Sequence, residues 1–194
     1  MKKRIKNKTP IIVEVAIVVI AVIAGIGIKI YYSSQTKTYT FPENFVDYAG
    51  LIIEQQIEDI NEVNKTEDIC TDVYKNKDGS FSIKLNKKQW NWWINNIKDK
   101  IKQSREVIAE EGGKLTVSND RESVIFEVPS GFSQELIFIE GSRVTVCAAE
   151  YQILTKENQD WEIYLCFENM ETGEIIAEGT LPYDTIEFTD EDLK

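Results

Sequence analysis

Carboxylates make up most of the residues in this chain that could do chemistry. The 194 residues include 33 Asp and Glu against 22 Lys and Arg, and they include no His. Without His, the chain cannot form a Ser-His-Asp triad, a Cys-His pair or a His-ligated zinc site. A carboxylate pair that cleaves a glycan remains open, as does a Ser–Lys hydrolase using Ser130, but no motif brings such groups together. We therefore predict no catalytic residue, no metal and no cofactor.

Three cysteines, at positions 70, 147 and 166, can form a disulfide or remain thiols. Their spacing matches no metal-binding motif. Cys147 and Cys166 fall on two apolar runs that a short loop joins, so the pattern allows a cross-strand disulfide between them. In that register Ala148 would lie opposite Leu165, and the apolar faces would agree. Reduced, buried thiols are the alternative.

Three tryptophans within four residues, Trp90, Trp92 and Trp93, form a candidate binding surface. Such rings can stack on sugars or peptides. Trp90 and Trp93 also lie on the apolar stripe of a predicted long helix, where large aromatic side chains usually pack in the core. Trp92 lies off this stripe. We keep all three as candidate binding residues, and we expect Trp92 to be the partly exposed contact.

An apolar run over residues 10–32 determines where the chain is expected to reside. From Ile11 to Ile28 its one charged residue is Glu14. A helix of about 20 residues covers roughly 30 Å, the hydrocarbon thickness of a bilayer. Residues 1–9 are basic and contain no acid, which places the N-terminus in the cytoplasm and the rest of the chain outside. We predict an uncleaved anchor; a cleaved signal peptide is the alternative, disfavoured because the run is long and ends without a small-residue cleavage site.

Five residues within this run refine the prediction. Glu14 lies about one turn from the cytoplasmic edge, where its carboxylate can reach the interface or take up a proton; a proton or partner site is the alternative. Ala21 and Gly25 form a small-xxx-small pair, which is typical of helix pairing in membranes. Tyr31 and Tyr32 stand where an outer interfacial aromatic pair is expected.

Charge is distributed unevenly along the chain. The net charge is −11 at pH 7, although residues 1–9 contribute five basic side chains. The part predicted to lie outside is therefore more acidic than the chain as a whole. This charge disfavours nucleic acid and anionic lipid as ligands of the outer domain, and it leaves basic partners or cations open.

Periodicity predicts one α+β domain over residues 42–183, after a polar linker at 33–41 and before an acidic, frayed tail at 184–194. Apolar residues at helical spacing predict a helix from Phe45 to Val63. Asp78-Gly79 between two alternating runs predicts a hairpin. Asn86, with Gln89 three residues later, then begins a long helix.

From residue 114 onward, the apolar period changes to two residues. Turn signals separate six alternating runs, which predict an antiparallel β-meander with the helices packed on one face. The runs are KLTVSN, ESVIFEVP, ELIFIEG, RVTVCAAEYQILT, WEIYLCFENM and EIIAEGTLP.

Three resemblances bear on these elements. The order helix, hairpin, long helix, meander is similar to that of NTF2-like and cystatin-like proteins. The stretch YQILTKENQDWEIYLCFENMETGEIIAEGTLP resembles the end of uncharacterised membrane-anchored extracytoplasmic proteins of Gram-positive bacteria. A Glu near the start of an apolar helix, with a sheet domain behind it, resembles type IV pilins, although Thr9-Pro10 replace the Gly of a pilin processing site. None of these resemblances implies a catalytic residue.

The sequence therefore predicts a single-pass protein of the cell membrane with its acidic domain outside. We expect that domain to be a non-catalytic binding or assembly module at the outer membrane surface. Its expected partners are the membrane and an envelope protein, and not nucleic acid. The alternatives are a carboxylate-dependent envelope or glycan hydrolase and a pilin-like secretion or assembly subunit.

Overall fold

The computed structural model describes residues 35–156, 160–189 and 191–193. In these ranges the chain forms four helices and two β-sheets, which confirms the predicted α+β class. No helix in the same ranges is long and apolar enough to cross a bilayer. The basic segment 1–9 and the predicted anchor lie outside the described residues, and with them lie the candidate membrane residues Glu14, Ala21, Gly25, Tyr31 and Tyr32.

Short strands and longer helices alternate along the described chain. The strands are β1 (Thr36–Phe41), β2 (Asp72–Lys75), β3 (Phe81–Asn86), β4 (Lys114–Val117), β5 (Ser123–Val128), β6 (Ile163–Asn169) and β7 (Ile175–Leu181). The helices are α1 (Glu43–Tyr48), α2 (Ile53–Glu67), α3 (Lys87–Glu110) and α4 (Gln134–Thr155). Strands β1 to β3 form one sheet and strands β4 to β7 form the other, so each sheet is built from one half of the chain.

The first sheet is antiparallel, with the strand order β1-β3-β2. Its β2–β3 hairpin turns where the sequence predicts. Gly79 has a φ of +82°, a left-handed conformation that glycine adopts without steric cost. The Asp78 carboxylate accepts hydrogen bonds from the Ser80 hydroxyl and N–H, which fixes the turn. The predicted hairpin is therefore confirmed.

The predicted linker at 33–41 was wrong, because strand β1 occupies most of it. Residues Thr36–Phe41 pair along the whole of β3. Phe41 is buried and stacks on Phe81, with ring centroids 4.6 Å apart. A polar segment with one large apolar side chain thus becomes an edge strand once β3 offers it a partner.

The long helix α3 begins as predicted. The Asn86 side chain accepts hydrogen bonds from the N–H groups of Lys88 and Gln89, and the Gln89 side chain accepts one from the Asn86 N–H. This capping box is confirmed. The predicted helix from Phe45 to Val63 is instead two helices, α1 and α2, because the chain turns at Gly50, which has a φ of +62°.

The predicted antiparallel meander was wrong in its central part. The runs ELIFIEG and RVTVCAAEYQILT form the helix α4, with the Ser133 hydroxyl accepting a hydrogen bond from the Leu136 N–H at its start. The helix joins β5 to β6, which lie side by side and parallel. A parallel pair needs a long crossover of this kind, because the chain must return to the same end of the sheet.

Helix α4 lies antiparallel to α3 within the core. The Trp90 indole N–H donates to the Leu154 carbonyl at 2.8 Å, so the start of α3 lies beside the end of α4. Ala148 and Ala149 are fully buried on α4, and small side chains of this kind allow a close helix contact. The buried residues of α4 cover more than one side of the helix, as expected for a helix that packs on both a sheet and another helix.

The acidic tail is not frayed over its described residues. Phe188 packs on Phe167 of β6, with ring centroids 5.0 Å apart, and Leu193 is 1% exposed. The Gln134 side-chain amide also donates to the Phe188 carbonyl at 2.8 Å. The two apolar side chains therefore hold an acidic segment against the domain.

Glu150 on α4 gives the fold a predicted pH dependence. Burial raises the pKa of its carboxyl, and nearby Lys100 lowers it by less. The folded state therefore holds the proton more tightly than the unfolded state, and the resulting stability is lost as the pH rises through the folded pKa. We expect Glu150→Gln to raise the free energy of unfolding at pH 8 and to change it little at pH 4, as measured by urea unfolding.

The matched control is Glu110→Gln, which removes an exposed carboxylate at the end of α3. We expect this variant to shift stability by a few tenths of a kcal/mol, about equally at both pH values. If Glu150→Gln destabilises the chain at pH 8, or has the same effect at pH 4, the proposed titration of Glu150 is wrong.

Candidate functional site

A pocket of about 510 Å³ opens beside the first half of α4. Its other walls come from the end of α1, the strands β6 and β7, and the segment 182–188 that follows β7. Its volume falls within the range of pockets that bind small molecules. Most of its lining side chains are apolar, among them Ile137, Phe138, Leu165, Phe167, Ile186 and Phe188. We call this site the α4 pocket.

Gly141 gives the α4 pocket depth on its helical side. A Cβ atom at this position would lie 3.8 Å from the Phe167 ring, at ordinary contact distance. Any larger side chain would therefore extend toward Phe167 and into the α4 pocket, which Gly141 lines. The runs ELIFIEG and RVTVCAAEYQILT, which the sequence predicts as two strands, thus form one helical wall of the pocket.

Gly179 on β7 lets the opposite wall fold back onto the sheet. A Cβ at Gly179 would lie 3.0 Å from the Asp184 Cβ and 3.0 Å from the Ile186 Cγ1, which is tighter than an ordinary contact. The Asp184 carboxylate accepts a hydrogen bond from the Thr180 N–H at 2.7 Å. The close approach and this bond together hold the segment against β7.

Tyr48 and Thr145 supply the polar part of the pocket. Their hydroxyl oxygens lie 2.6 Å apart, and the Thr145 hydroxyl also donates to the Gly141 carbonyl at 2.8 Å. Since the Thr145 proton is used in that bond, the Tyr48 hydroxyl donates to Thr145. Burial raises the pKa of Tyr48 more than the bond to Thr145 lowers it, so the phenol is neutral at physiological pH. Its oxygen lone pairs can accept one hydrogen bond from a ligand.

Phe138 stands at the mouth of the pocket and is 74% exposed. It also borders a neighbouring depression formed with Gln134, Ile186 and Asp192. An exposed aromatic ring that is continuous with an apolar pocket is typical of a ligand or partner site.

The chemistry of the α4 pocket suits binding. Its one carboxylate, Asp184, is bonded to a backbone N–H. Within the described ranges, no three His, Cys, Asp or Glu residues are grouped to hold a metal ion. The serine considered for a Ser–Lys hydrolase, Ser130, instead donates to Glu171 at 3.1 Å and accepts from Asn169 at 3.2 Å. Ser130 also does not line the α4 pocket.

The three candidate tryptophans lie away from the α4 pocket, and each indole N–H is bonded within the chain. Trp90 donates to the Leu154 carbonyl, and Trp93 donates to the Ile69 carbonyl at 2.9 Å. Trp92 donates to the Glu67 carboxylate at 3.2 Å and packs edge-on against Trp93. These contacts attach α3 to its neighbours.

The three cysteines are free and buried. The predicted cross-strand register of Cys147 and Cys166 was wrong, because Cys147 lies on the helix α4 while Cys166 lies on β6. Burial raises the pKa of the Cys147 thiol to about 12 and that of Cys70 to about 11. Thiols with such pKa values carry almost no thiolate at neutral pH, so they behave as small apolar side chains.

No protein-family model, curated protein or solved structure matches this chain. The site therefore has to be assigned from its own geometry. The apolar runs that hold Phe138, Gly141 and Thr145 predict strands, so sequence reasoning missed these three residues together with Tyr48. One signal for this helix was Ser133, because serine is favoured at the N-cap position directly before a helix begins.

We expect the buried thiols to be unreactive in the folded chain. At pH 8, a thiol reagent such as Ellman's reagent should titrate none of the three cysteines within minutes, and it should titrate all three in denaturant. A count of one thiol in denaturant would reveal a disulfide, and rapid reaction of Cys147 in the folded chain would contradict its burial.

Two glycine variants test the walls of the pocket. Gly179→Ala should lower the free energy of unfolding by about 1–3 kcal/mol, because its Cβ crowds the segment 182–188. The matched variant Gly141→Ala should leave stability unchanged or raise it by up to about 1 kcal/mol, because its Cβ fits and alanine favours a helix. Thermal unfolding measures both, and equal effects of the two substitutions would contradict this geometry.

Proposed function

We propose that this chain is a membrane-anchored, non-catalytic binding module whose domain lies outside the cell and takes up a small apolar molecule in the α4 pocket. The observation that carries the proposal is the pocket itself, with its apolar walls and the hydrogen-bond acceptor of Tyr48. An uncharged or cationic apolar ligand fits best, because Asp184 lines the pocket and the surrounding domain is acidic.

The placement at the membrane rests on the sequence. An apolar run of bilayer length follows a basic segment without acids, which predicts an anchor with the N-terminus inside. The resemblance of the stretch from Tyr151 to Pro182 to membrane-anchored extracytoplasmic proteins of Gram-positive bacteria supports the same placement. Retention of the anchor would keep the pocket close to the outer membrane surface.

The pilin-like alternative is less well supported. Pilins carry one long helix that continues from the membrane into the domain, whereas strand β1 begins here at Thr36, four residues after the predicted anchor ends at Tyr32. The α4 pocket offers a carboxylate-dependent hydrolase only one carboxylate, Asp184, where that chemistry needs two.

Photo-crosslinking tests the proposed pocket in the full chain. Membranes that contain the protein are incubated with an uncharged alkyl diazirine, irradiated and digested, and the labelled peptides are identified by mass spectrometry. We expect labelling in the first half of α4 and in the segment 182–188, because these form the two walls of the pocket.

Gly141→Leu should reduce this labelling to background, since a leucine side chain would fill the pocket from α4. Gly141→Ala is the control and should leave labelling near the wild-type level. Labelling that is spread evenly over the domain, or that survives unchanged in Gly141→Leu, would refute the binding function.

A further inference from the structure

One end of the domain surrounds Gln35, the first described residue after the predicted anchor. We define this proximal face by Gln35–Lys37 in and before β1, Asn86–Trp90 at the start of α3, and Leu154–Lys156 at the end of α4. Strand pairing places Thr36 opposite Asn86, and the Trp90 indole is bonded to the Leu154 carbonyl. All three segments line one shallow depression of about 390 Å³.

The proximal face presents two lysines without carboxylate partners. Lys37 and Lys87 are both exposed, and neither forms an ion pair with any described residue. The Lys37 ammonium lies 5.2 Å from the centre of the Tyr39 ring, and the Lys87 ammonium lies 4.2 Å from the Trp90 ring. Each cation is thus held over an aromatic face.

Two other lysines of the proximal face, Lys88 and Lys156, do form ion pairs with carboxylates. Lys88 pairs with Asp68 at 3.2 Å, and Lys156 pairs with Glu122 at 2.6 Å. The positive charge that this face offers to another molecule therefore comes from Lys37 and Lys87.

The length of chain between the predicted anchor and the domain brings this face to the bilayer. The predicted anchor ends at Tyr32, and the three residues from there to Gln35 span at most about 11 Å when fully extended. The headgroup layer itself adds roughly 5–7 Å on each side of the hydrocarbon core. Flexible lysine side chains on the proximal face can therefore reach lipid phosphates.

We propose that Lys37 and Lys87 bind the phosphate groups of anionic lipids, with Tyr39 and Trp90 at headgroup level, and so fix the orientation of the domain on the membrane. The inference rests on the proposed anchor. In this orientation the α4 pocket is displaced along α4 by about 12–25 Å from the bilayer, because it lies beside the other half of that helix.

The acidic character of the whole domain does not oppose this contact. Solvent-exposed charges more than about 8–10 Å apart are largely screened at physiological ionic strength, so a lipid phosphate responds to the charges within that distance. The net negative charge therefore disfavours anionic lipid over most of the domain surface, but not at the proximal face.

Paramagnetic broadening in lipid nanodiscs tests the proposal on the full chain. The discs contain a trace of lipid with a gadolinium chelate on its headgroup, in phosphatidylcholine alone or mixed with phosphatidylglycerol. The backbone amide signals of Lys37 and Lys87 should broaden more in the anionic discs than in the neutral ones. The signal of Lys77, at the opposite end of the β2–β3 hairpin, should broaden less in both.

The variant Lys37→Gln/Lys87→Gln should lower the ratio of docked to undocked domain in anionic discs by about fivefold per lysine, or about 25-fold for the pair. Lys77→Gln/Lys98→Gln removes two exposed charges elsewhere and should leave this ratio unchanged. Added salt should reduce the wild-type ratio toward that of the first variant.

Several outcomes would overturn the inference. One is equal broadening of the Lys37 and Lys87 signals in neutral and anionic discs. Another is an equal fall of the docking ratio in the control variant Lys77→Gln/Lys98→Gln. The third is an effect of inorganic phosphate on the two lysine signals in neutral discs that is as large as the effect of phosphatidylglycerol. Alkaline carbonate extraction separates the two claims. Release of the chain would refute the anchor and this inference together, whereas retention without lipid dependence would refute the inference alone.

Discussion

The parallel pairing of β5 with β6 is the constraint on which the rest of the domain depends. Two parallel strands need a crossover connection that returns the chain to the same end of the sheet, and the helix α4 forms this connection within the core. The last turn of α4 receives the Trp90 indole and so positions the start of α3. Its first half forms one wall of the α4 pocket. One helix therefore connects the sheet, the second long helix and the candidate site.

The segment 182–188 after β7 forms the wall of the α4 pocket that faces α4. It is acidic in sequence, yet Ile186 and Phe188 turn toward the sheet, and a bond from the Thr180 N–H to Asp184 holds its turn. The pocket thus lies between a helix fixed by the core and a segment fixed by a few contacts. A segment of this kind, with few buried contacts, can open at lower free energy than the core.

Features with local causes could be predicted from the sequence. The capping box of Asn86 and Gln89, the turn at Gly79 and the buried stripe through Ile97 and Ile101 each depend on residues close in the chain. The helix α4 could not be predicted in this way. The exposed face of α4 carries the apolar residues Phe138 and Ile139 beside polar ones, so its helical period is weak, and short apolar runs fit a strand equally well.

The candidate site was out of reach for the same reason. Tyr48 and Thr145 are almost a hundred residues apart and meet only because α1 and α4 pack side by side. The Trp90–Trp93 cluster, which was visible in the sequence, proved to be bonded within the chain. Strand β1 likewise depends on its pairing with β3, which no local pattern within Thr36–Phe41 reveals.

Protease accessibility in intact cells tests the proposed membrane topology. The full chain carries one epitope at each end, and protease is added from outside before and after the cells are lysed. We expect the C-terminal epitope to be lost in intact cells, while the N-terminal epitope survives until lysis and stays with the membrane fraction. A C-terminal epitope that is protected in intact cells, or a chain found in the soluble fraction, would contradict it.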